Sequence, residues 1–272
     1  MNVGEQQPVS TPGFVYLVGA GPGDPELLTV KAARLIQEAE VVVLDRLISD
    51  EILTLIPPGA TCIYAGKAPE KHYFTQSEIN DLLVRLGKSG RKIVRLKGGD
   101  PYVFGRGGEE ALHLAAHGIP FEVVPGISAA GGCGAALGIP LTHRGMSTGV
   151  RYVTGHCREN GKLQLDWRGL SDPNTTLVIY MAVGTVQEIT ENLIKAGLPA
   201  ATPAAAIERG TTPEQRQFLT TLGELPTLVE SYHIRPPAMF IIGSVVRLSQ
   251  VLRPDLMMEN ATIVSIEDRR KA

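Results

Sequence analysis

Cysteine is scarce: the 272-residue chain holds three, Cys62, Cys133 and Cys157, odd in number and far apart. Without a C-x-x-C spacing a disulfide scaffold and a zinc knuckle are both excluded, and the thiols are expected to be reduced and packed. Nor does one sign of charge dominate, since 26 Lys and Arg against 28 Asp and Glu give a formal net charge of -2 and a pI near 6.3. That balance gives no global attraction for nucleic acid or an anionic membrane, so an anionic ligand must be met by locally clustered bases. Long apolar runs are also missing. Each is broken by glycine, proline or charge before the roughly 20 residues of a membrane span, and the N-terminus has no basic-then-apolar leader. The expectation is a soluble, cytoplasmic protein with no nucleic-acid and no membrane partner. A hydrophobic content of 43% with 20% charged residues is ordinary for a soluble enzyme with a sizeable core.

Several chemical signatures are absent as well. Gly19-Ala20-Gly21 follows a strand pattern as a dinucleotide fingerprint would, but Asp24 stands in the third glycine's place and Pro22 removes an amide donor, which argues against a pyrophosphate. There is no G-x-x-x-x-G-K-[ST] and no cysteine with a histidine partner, and the G-x-S-x-G string Gly145-Met146-Ser147-Thr148-Gly149 runs into an expected strand rather than lying between a strand and a helix, so it is no nucleophile elbow. His113 and His117 have helical i, i+4 spacing but lack the H-E-x-x-H glutamate and a third ligand, so no metal is expected.

What is present is a repeated unit of strand, glycine turn and helix. The central instance is Lys92 to Leu96 running into Gly98-Gly99-Asp100-Pro101, where glycine frees the backbone and proline breaks the ladder. Gly105-Arg106-Gly107-Gly108 follows, and Glu109-Glu110 open a helical run from Ala111 to His117 with the acidic pair at the positive helix end. Phe14 to Val18 delivers the chain into Gly19 to Pro25, with a helix starting at Glu26. Val41 to Leu44 ends on Asp45-Arg46, Cys62 to Ala65 forms a strand near Lys67, and Phe121 to Val124 enters Pro125-Gly126-Ile127-Ser128. Helices are expected over Ile48 to Ile56, over Gln76 to Leu86 capped by Thr75 or Ser77, and over Ala129 to Leu137. Five strands alternating with helices predict a mostly parallel sheet whose ligand lies at the strands' carboxyl ends. An acidic, glycine-lined turn there suits a ligand with a positive or hydrogen-bond-donating end.

After His143-Arg144 the texture changes. Strands are expected at Gly149 to Thr154, Thr176 to Met181, Ala204 to Glu208, Gln215 to Thr221 and Met239 to Ile242, with helices over Val186 to Lys195 and Val245 to Leu252. The fold class is thus α/β, with two α/β domains at 14–139 and 140–252 and peripheral tails at 1–13 and 253–272. Arg46, Arg106, His143, Arg144, Arg151 and His156 sit at turns and strand ends, where guanidinium groups suit a ligand bearing several carboxylates.

Val18-Gly19-Ala20-Gly21-Pro22-Gly23-Asp24-Pro25 with Leu27-Leu28-Thr29, and Arg95-Leu96-Lys97-Gly98-Gly99-Asp100-Pro101 with Phe104 to Glu110, closely resemble the two signatures of uroporphyrinogen-III C-methyltransferases, within the tetrapyrrole (precorrin) methylase family. The resemblance continues through Val124 to Ala129, Pro140 to Arg144, Val153 to His156, Tyr180 to Ala182 and Glu208 to Thr211. It implies two α/β domains with S-adenosyl-L-methionine in the cleft between them, in a homodimer, without a metal. It further implies methyl transfer to carbons 2 and 7 of uroporphyrinogen III, giving precorrin-2 and S-adenosyl-L-homocysteine for sirohaem, cobalamin or haem d1. The short leader leads us to expect a monofunctional methylase rather than one fused to a dehydrogenase and chelatase module. A methylase of a later precorrin, a non-catalytic S-adenosylmethionine-binding regulator and a nicotinamide oxidoreductase are the alternatives.

The resemblance assigns residues too. Pro22, Gly98, Gly99, Asp100, Val103, Ser128, Ala129, Met181 and Gly210 should line the S-adenosylmethionine site, with Ala238 near the adenine; Ser128 keeps the hydroxyl of the threonine commonly found there. Asp45 and Lys67 match the positions of proton acceptor and donor. Arg106 is sometimes considered a base in this family, but a guanidinium with pKa above about 12 is almost never deprotonated, so a substrate carboxylate is the better partner. Arg46, Arg106, Arg144 and Arg151 are the expected clamps for the acidic side chains of the macrocycle, with Glu109 near the pyrrole nitrogens or orienting Arg106. An in-line attack by an electron-rich pyrrole carbon on a sulfonium methyl needs no covalent nucleophile, only positioning, exclusion of water and a base for the bridge proton.

Overall fold

Apolar runs that stop on glycine or charge become strands in the computed structural model, which describes residues 13–66, 74–156 and 163–255. Two compact units divide between Ser128 and Ala129. In the first, β1 (Phe14–Gly19), β2 (Val41–Leu44), β3 (Thr61–Tyr64), β4 (Lys92–Lys97) and β5 (Phe121–Val124) form one sheet in the order β3-β2-β4-β1-β5. Every pairing in it is parallel, as the alternation of strands and helices predicts.

Helices cover both faces of that sheet. Ala32, Leu35 and Ile36 of α1 (Val30–Gln37) and Ile52 of α2 (Asp50–Leu53) pack on Val18, Val42, Val94 and Leu96. Ile79 and Leu83 of α3 (Gln76–Gly87) and Ala111 and Leu114 of α4 (Gly107–Ala116) pack on Val15, Leu17, Val43 and Ile93. Successive strand residues feed opposite cores, as the two-residue period requires. The chain after β1 therefore leaves over one face and the chain after the neighbouring β4 over the other, which makes the carboxyl ends of these two strands the switch point where open α/β sheets place ligands.

Local capping sets the helix boundaries. The helix expected from Glu26 begins instead at Val30, because the Asp24 carboxylate accepts from Glu26 N and closes a short 3-10 turn, Pro25–Leu27, before Thr29 caps the helix proper. For α3 the cap is Thr75 and not Ser77: Thr75 and Glu78 form a reciprocal capping box.

The second unit holds β6 (Gly149–Thr154), β7 (Thr175–Tyr180), β8 (Pro203–Glu208), β9 (Arg216–Thr221) and β10 (Ala238–Ile242) in the order β6-β7-β10-β8-β9. Only β6 and β7 run parallel; β10 is antiparallel to both neighbours and β8 to β9. One face is covered by α6 (Trp167–Leu170), α7 (Val186–Lys195) and α8 (Leu225–Ser231), the other by α5 (Ala129–Ala136) and the segment from Ser244 into α9 (Ser249–Leu252).

Helix α5 belongs here and not to the first domain, as the 139/140 boundary had it. Ala130 and Cys133 of α5, with Leu137, pack against Val178, Ala205, Ile207 and Met239 of the second sheet. Arg253, expected to begin a peripheral tail, donates to Ala136 O at 2.7 Å and pairs with Asp255, so the chain stays fastened to this unit. The helix expected over Val245 to Leu252 splits into a 3-10 turn, Ser244–Leu248, and the one-turn α9.

Candidate functional site

Three loops meet at the carboxyl edge of the first sheet. Gly21 and Gly99 form an isolated bridge, with Gly99 N donating to Gly21 O at 2.7 Å and Gly21 N to Gly99 O at 3.1 Å. A Cβ on Gly19 would stand 2.6 Å from both Gly126 N and Gly99 O, and one on Gly126 would stand 2.2 Å from Gly99 O. The loops after β1, β4 and β5 therefore touch backbone to backbone, an approach open to no residue with a side chain. Asp100 fastens the same junction: Oδ1 accepts from Tyr102 N at 2.8 Å and Oδ2 from Gly126 N at 3.1 Å.

The loop from Gly98 to Arg106 then folds on itself, with Gly107 N donating to Pro101 O at 2.9 Å. Phe104 and Arg106 hold left-handed φ of 54° and 59°. Residues without glycine's freedom adopt that region where the surroundings over-determine them, and such positions cluster at functional sites. Pro22, Gly98, Gly99, Asp100 and Val103, expected to line one site, are half-buried along this edge.

Asp45 ends β2 one strand over. Its amide donates to Leu96 O at 3.0 Å, and its carboxylate accepts from Arg46 N at 2.7 Å. Lys67 lies outside the described residues, as does Cys157. Arg106 makes a two-pronged ion pair with Glu109, Nε to Oε1 and Nη2 to Oε2 both at 2.8 Å. Hydrogen bonding to the Glu109 carboxylate raises the pKa of Arg106, and the same bond lowers that of Glu109. A guanidinium held in this way is further still from acting as a base, while Glu109 orients it.

The residues expected from the second unit gather at one end of its own sheet. Tyr180 and Met239 are register partners in β7 and β10, so Met181 follows at the end where β10 begins with Ala238. Ala238 pairs with Glu208, and Arg209 N donates to Pro237 O at 2.9 Å, bringing the Gly210 turn to the same end. Gly210 faces α5: a Cβ there would stand 2.2 Å from the Cys133 sulfur. Tyr180 Oη accepts from Ala130 N at 3.0 Å, fixing the start of α5, where Ala129 sits, beside β7. Met181, Arg209 and Thr211 have left-handed φ of 53°, 48° and 66°. Ser128 is the last residue of the first unit and half-buried.

Two of the expected clamps sit elsewhere in this unit. Arg144 is exposed in the turn closed by the His143 and Ser147 bridge. Arg151 lies in mid-strand on β6, about 10 Å from Thr154 at the strand's end, and donates Nη1 to Gly169 O at 2.6 Å. Cys133 is no reagent, because burial pushes its thiol pKa up to about 12. His113 Nε2 bonds Asp81 and His117 Nδ1 bonds the His113 carbonyl, a helix-surface arrangement.

Sequence reasoning missed one cluster. Arg95 and Lys97, each 2% exposed, converge on Glu110, 0% exposed, at 3.1 and 3.0 Å. Two cations at alternate positions of a central strand call for a buried anion, but the sequence does not tell which acid supplies it.

The chain matches the sequence model of the family described as Tetrapyrrole (Corrin/Porphyrin) Methylases over residues 15–226. It is 51% identical over 240 residues to a siroheme synthase of Nitrosomonas europaea, covering 88% of this chain and 50% of that protein. A siroheme synthase of Azotobacter vinelandii is 53% identical over 240 residues, with 88% and 52% covered. The chain thus spans about half the length of the curated relatives it matches. Among solved structures, a uroporphyrin-III C-methyltransferase from Thermus thermophilus complexed with S-adenosylhomocysteine has a TM-score of 0.74 at 44% identity, over 87% of this chain and 94% of that one. A cobalt precorrin-4 methyltransferase has a TM-score of 0.75 at 27% identity, over 86% and 95%.

Proposed function

We propose, from the premise that this chain belongs to the tetrapyrrole methylase family, that it is an S-adenosyl-L-methionine-dependent C-methyltransferase. The proposed reaction converts uroporphyrinogen III to precorrin-2 at carbons 2 and 7, with S-adenosyl-L-homocysteine as the other product. The observation that carries this reading is the junction of Gly19, Gly99 and Gly126 with the Asp100 carboxylate at the β1/β4 switch point. The 44% identity to the Thermus uroporphyrin-III enzyme against 27% to the precorrin-4 enzyme favours uroporphyrinogen over a later precorrin.

The residues suit such a donor. Each Asp100 oxygen accepts one backbone hydrogen bond, Oδ1 from Tyr102 and Oδ2 from Gly126, and a carboxylate oxygen has room for two, which leaves acceptor capacity for an ammonium group. Gly98, Gly99, Pro22 and Val103 would offer backbone and apolar contact from the first unit, and Ser128 its hydroxyl. Ala129, Met181, Gly210 and Ala238 would do so from the second. When bound, S-adenosylmethionine supplies an electrophilic sulfonium methyl. Asp45, half-buried at the end of β2, is the proposed acceptor of the bridge proton, with Lys67 the proposed proton donor. Arg106, pre-aimed by Glu109, is the foremost clamp for a substrate carboxylate, with Arg46, Arg144 and Arg151 as further candidates.

The test is incubation with uroporphyrinogen III and S-adenosylmethionine. A product carrying two added methyl groups is expected, heavier by two CH2 units because each transfer releases a proton, and S-adenosylmethionine binding without turnover would overturn the catalytic reading. Arg106→Ala should weaken porphyrinogen binding by about tenfold or more while leaving the S-adenosylhomocysteine Kd within about twofold; equal losses in calorimetric titration would remove Arg106 from the substrate site. The proposed assembly is a homodimer, which sedimentation measures, and the proposed compartment is the cytoplasm. Among the described residues no helix is long and apolar enough to cross a membrane.

A further inference from the structure

Arg95 and Lys97 project to the same side of the first sheet as Ile93, the side covered by α3 and α4. One oxygen of Glu110, Oε1, receives Lys97 Nζ at 3.0 Å, Arg95 Nε at 3.1 Å and Gln76 Nε2 from α3 at 3.3 Å. The other, Oε2, is buried with no hydrogen-bond partner among the described residues. Two cations share one buried anion. Burial and the Arg95 charge push the Lys97 pKa down, against the opposing pull of the Glu110 and Asp45 carboxylates. Asp45 stands next to Lys97 in the β2–β4 register, because Leu44 pairs with Leu96.

This cluster is a poor choice for core stability alone. Desolvating such charges generally costs as much as their attraction returns, and apolar residues of similar volume pack as well or better. Its placement says what it is for. Lys97 is the last residue before the Gly98–Asp100 turn, and Glu110 lies in the first turns of α4, the helix that the same loop enters. One carboxylate therefore ties the strand that leads into the loop to the helix that leads out of it.

We propose that Glu110 is a positioning residue for the methyl-donor turn, acting through Lys97 and Arg95 to fix both ends of the Gly98–Arg106 loop and thereby the backbone of Gly98 and Gly99 and the Asp100 carboxylate. This rests on the donor site proposed above. The test measures the S-adenosylhomocysteine Kd, the KM and kcat for S-adenosylmethionine, and the thermal midpoint in wild type, Glu110→Gln and the double variant Lys97→Met/Glu110→Gln. In Glu110→Gln, Kd and KM should rise about tenfold with kcat changed by less than about threefold, the pattern of lost binding rather than lost chemistry. The double variant, which removes one of the two cations along with the anion and leaves Arg95 its bond to the Val43 carbonyl, should regain part of the lost thermal midpoint but none of the donor affinity. Donor affinity that returns with stability would reduce the cluster to a structural role and overturn the proposal, as would wild-type affinity in Glu110→Gln. Should Glu110→Gln fail to fold, the double variant carries the comparison: weakened donor binding supports the proposal and wild-type binding overturns it. A wild type that binds no S-adenosylhomocysteine sinks the donor-site reading itself, whereas tight wild-type binding unchanged in the variants sinks only the role of Glu110.

Discussion

The two units build their candidate site edges by different means. In the first, an all-parallel sheet delivers three loops to one edge, and bare backbone meets bare backbone at Gly19, Gly99 and Gly126. In the second, a mixed sheet brings Met181, Gly210 and Ala238 to one end through strand register, and side chains such as Cys133 and Tyr180 fill the gaps. Contact between backbones has no slack, whereas contact against a side chain can be relieved by changing that side chain.

The sharpest way to break this comparison is a pair of alanines. At Gly126 a Cβ meets Gly99 O at 2.2 Å and the Gly19 backbone at 2.9 Å, so Gly126→Ala should cost about 3 kcal/mol or more and abolish donor binding. At Gly210 the first obstacle, also at 2.2 Å, is the Cys133 sulfur. Gly210→Ala should be destabilising alone, yet return to within about 1 kcal/mol of wild type when combined with Cys133→Ala. Urea unfolding of wild type and these three variants decides it: failure of Cys133→Ala to rescue Gly210→Ala, or equal tolerance of the two single alanines, removes the distinction.

Helix caps sharpen it at smaller scale. Thr75→Ala breaks a reciprocal box at the start of the three-turn α3 and should cost about 1 kcal/mol, whereas Asp166→Ala removes the one-bond cap of the single-turn α6 and should cost about 0.5 kcal/mol. The smallest effect is in acid. Lys92 bonding lowers the pKa of Glu38 in the first unit, and Thr175 and Asn174 bonding lowers that of Asp172 in the second. A carboxylate with a depressed folded pKa stabilises fully above its ordinary value and loses that contribution as pH falls through the folded value. Glu38→Gln and Asp172→Asn should therefore melt slightly below wild type at neutral pH and together with it at about pH 2. Calorimetry at the two pH values checks the sign in each unit.

The parallel sheet was legible because its strands are short, mainly apolar runs closed by glycine, proline or charge, and Val41 to Leu44 and Phe121 to Val124 read directly as strands. The start of α1 was not, because Asp24 and Thr29 are both competent caps five residues apart and only the folded turn shows which one opens the helix. Helices α6 and α8 escaped notice for a related reason: each is short and held by packing of Leu170, or of Leu225, Leu228 and Val229, rather than by a periodic pattern long enough to read. At the site, the glycine signatures announced the first edge. Met181 and Gly210 came only through resemblance, since their placement depends on the pairing of β7, β8 and β10, strands distant in sequence. Glu110 read as one of two acids favourable to a helix start; its burial became visible only with β4 beneath it.

The interlock of Gly19, Gly99 and Gly126 has a bearing on where this chain can change length. Loops pinned to each other through naked main chain cannot admit an extra residue without parting, so insertions that preserve the fold must fall in turns that face nothing, such as those at Gly59 and Gly145, where an added Cβ would meet no atom within 4 Å.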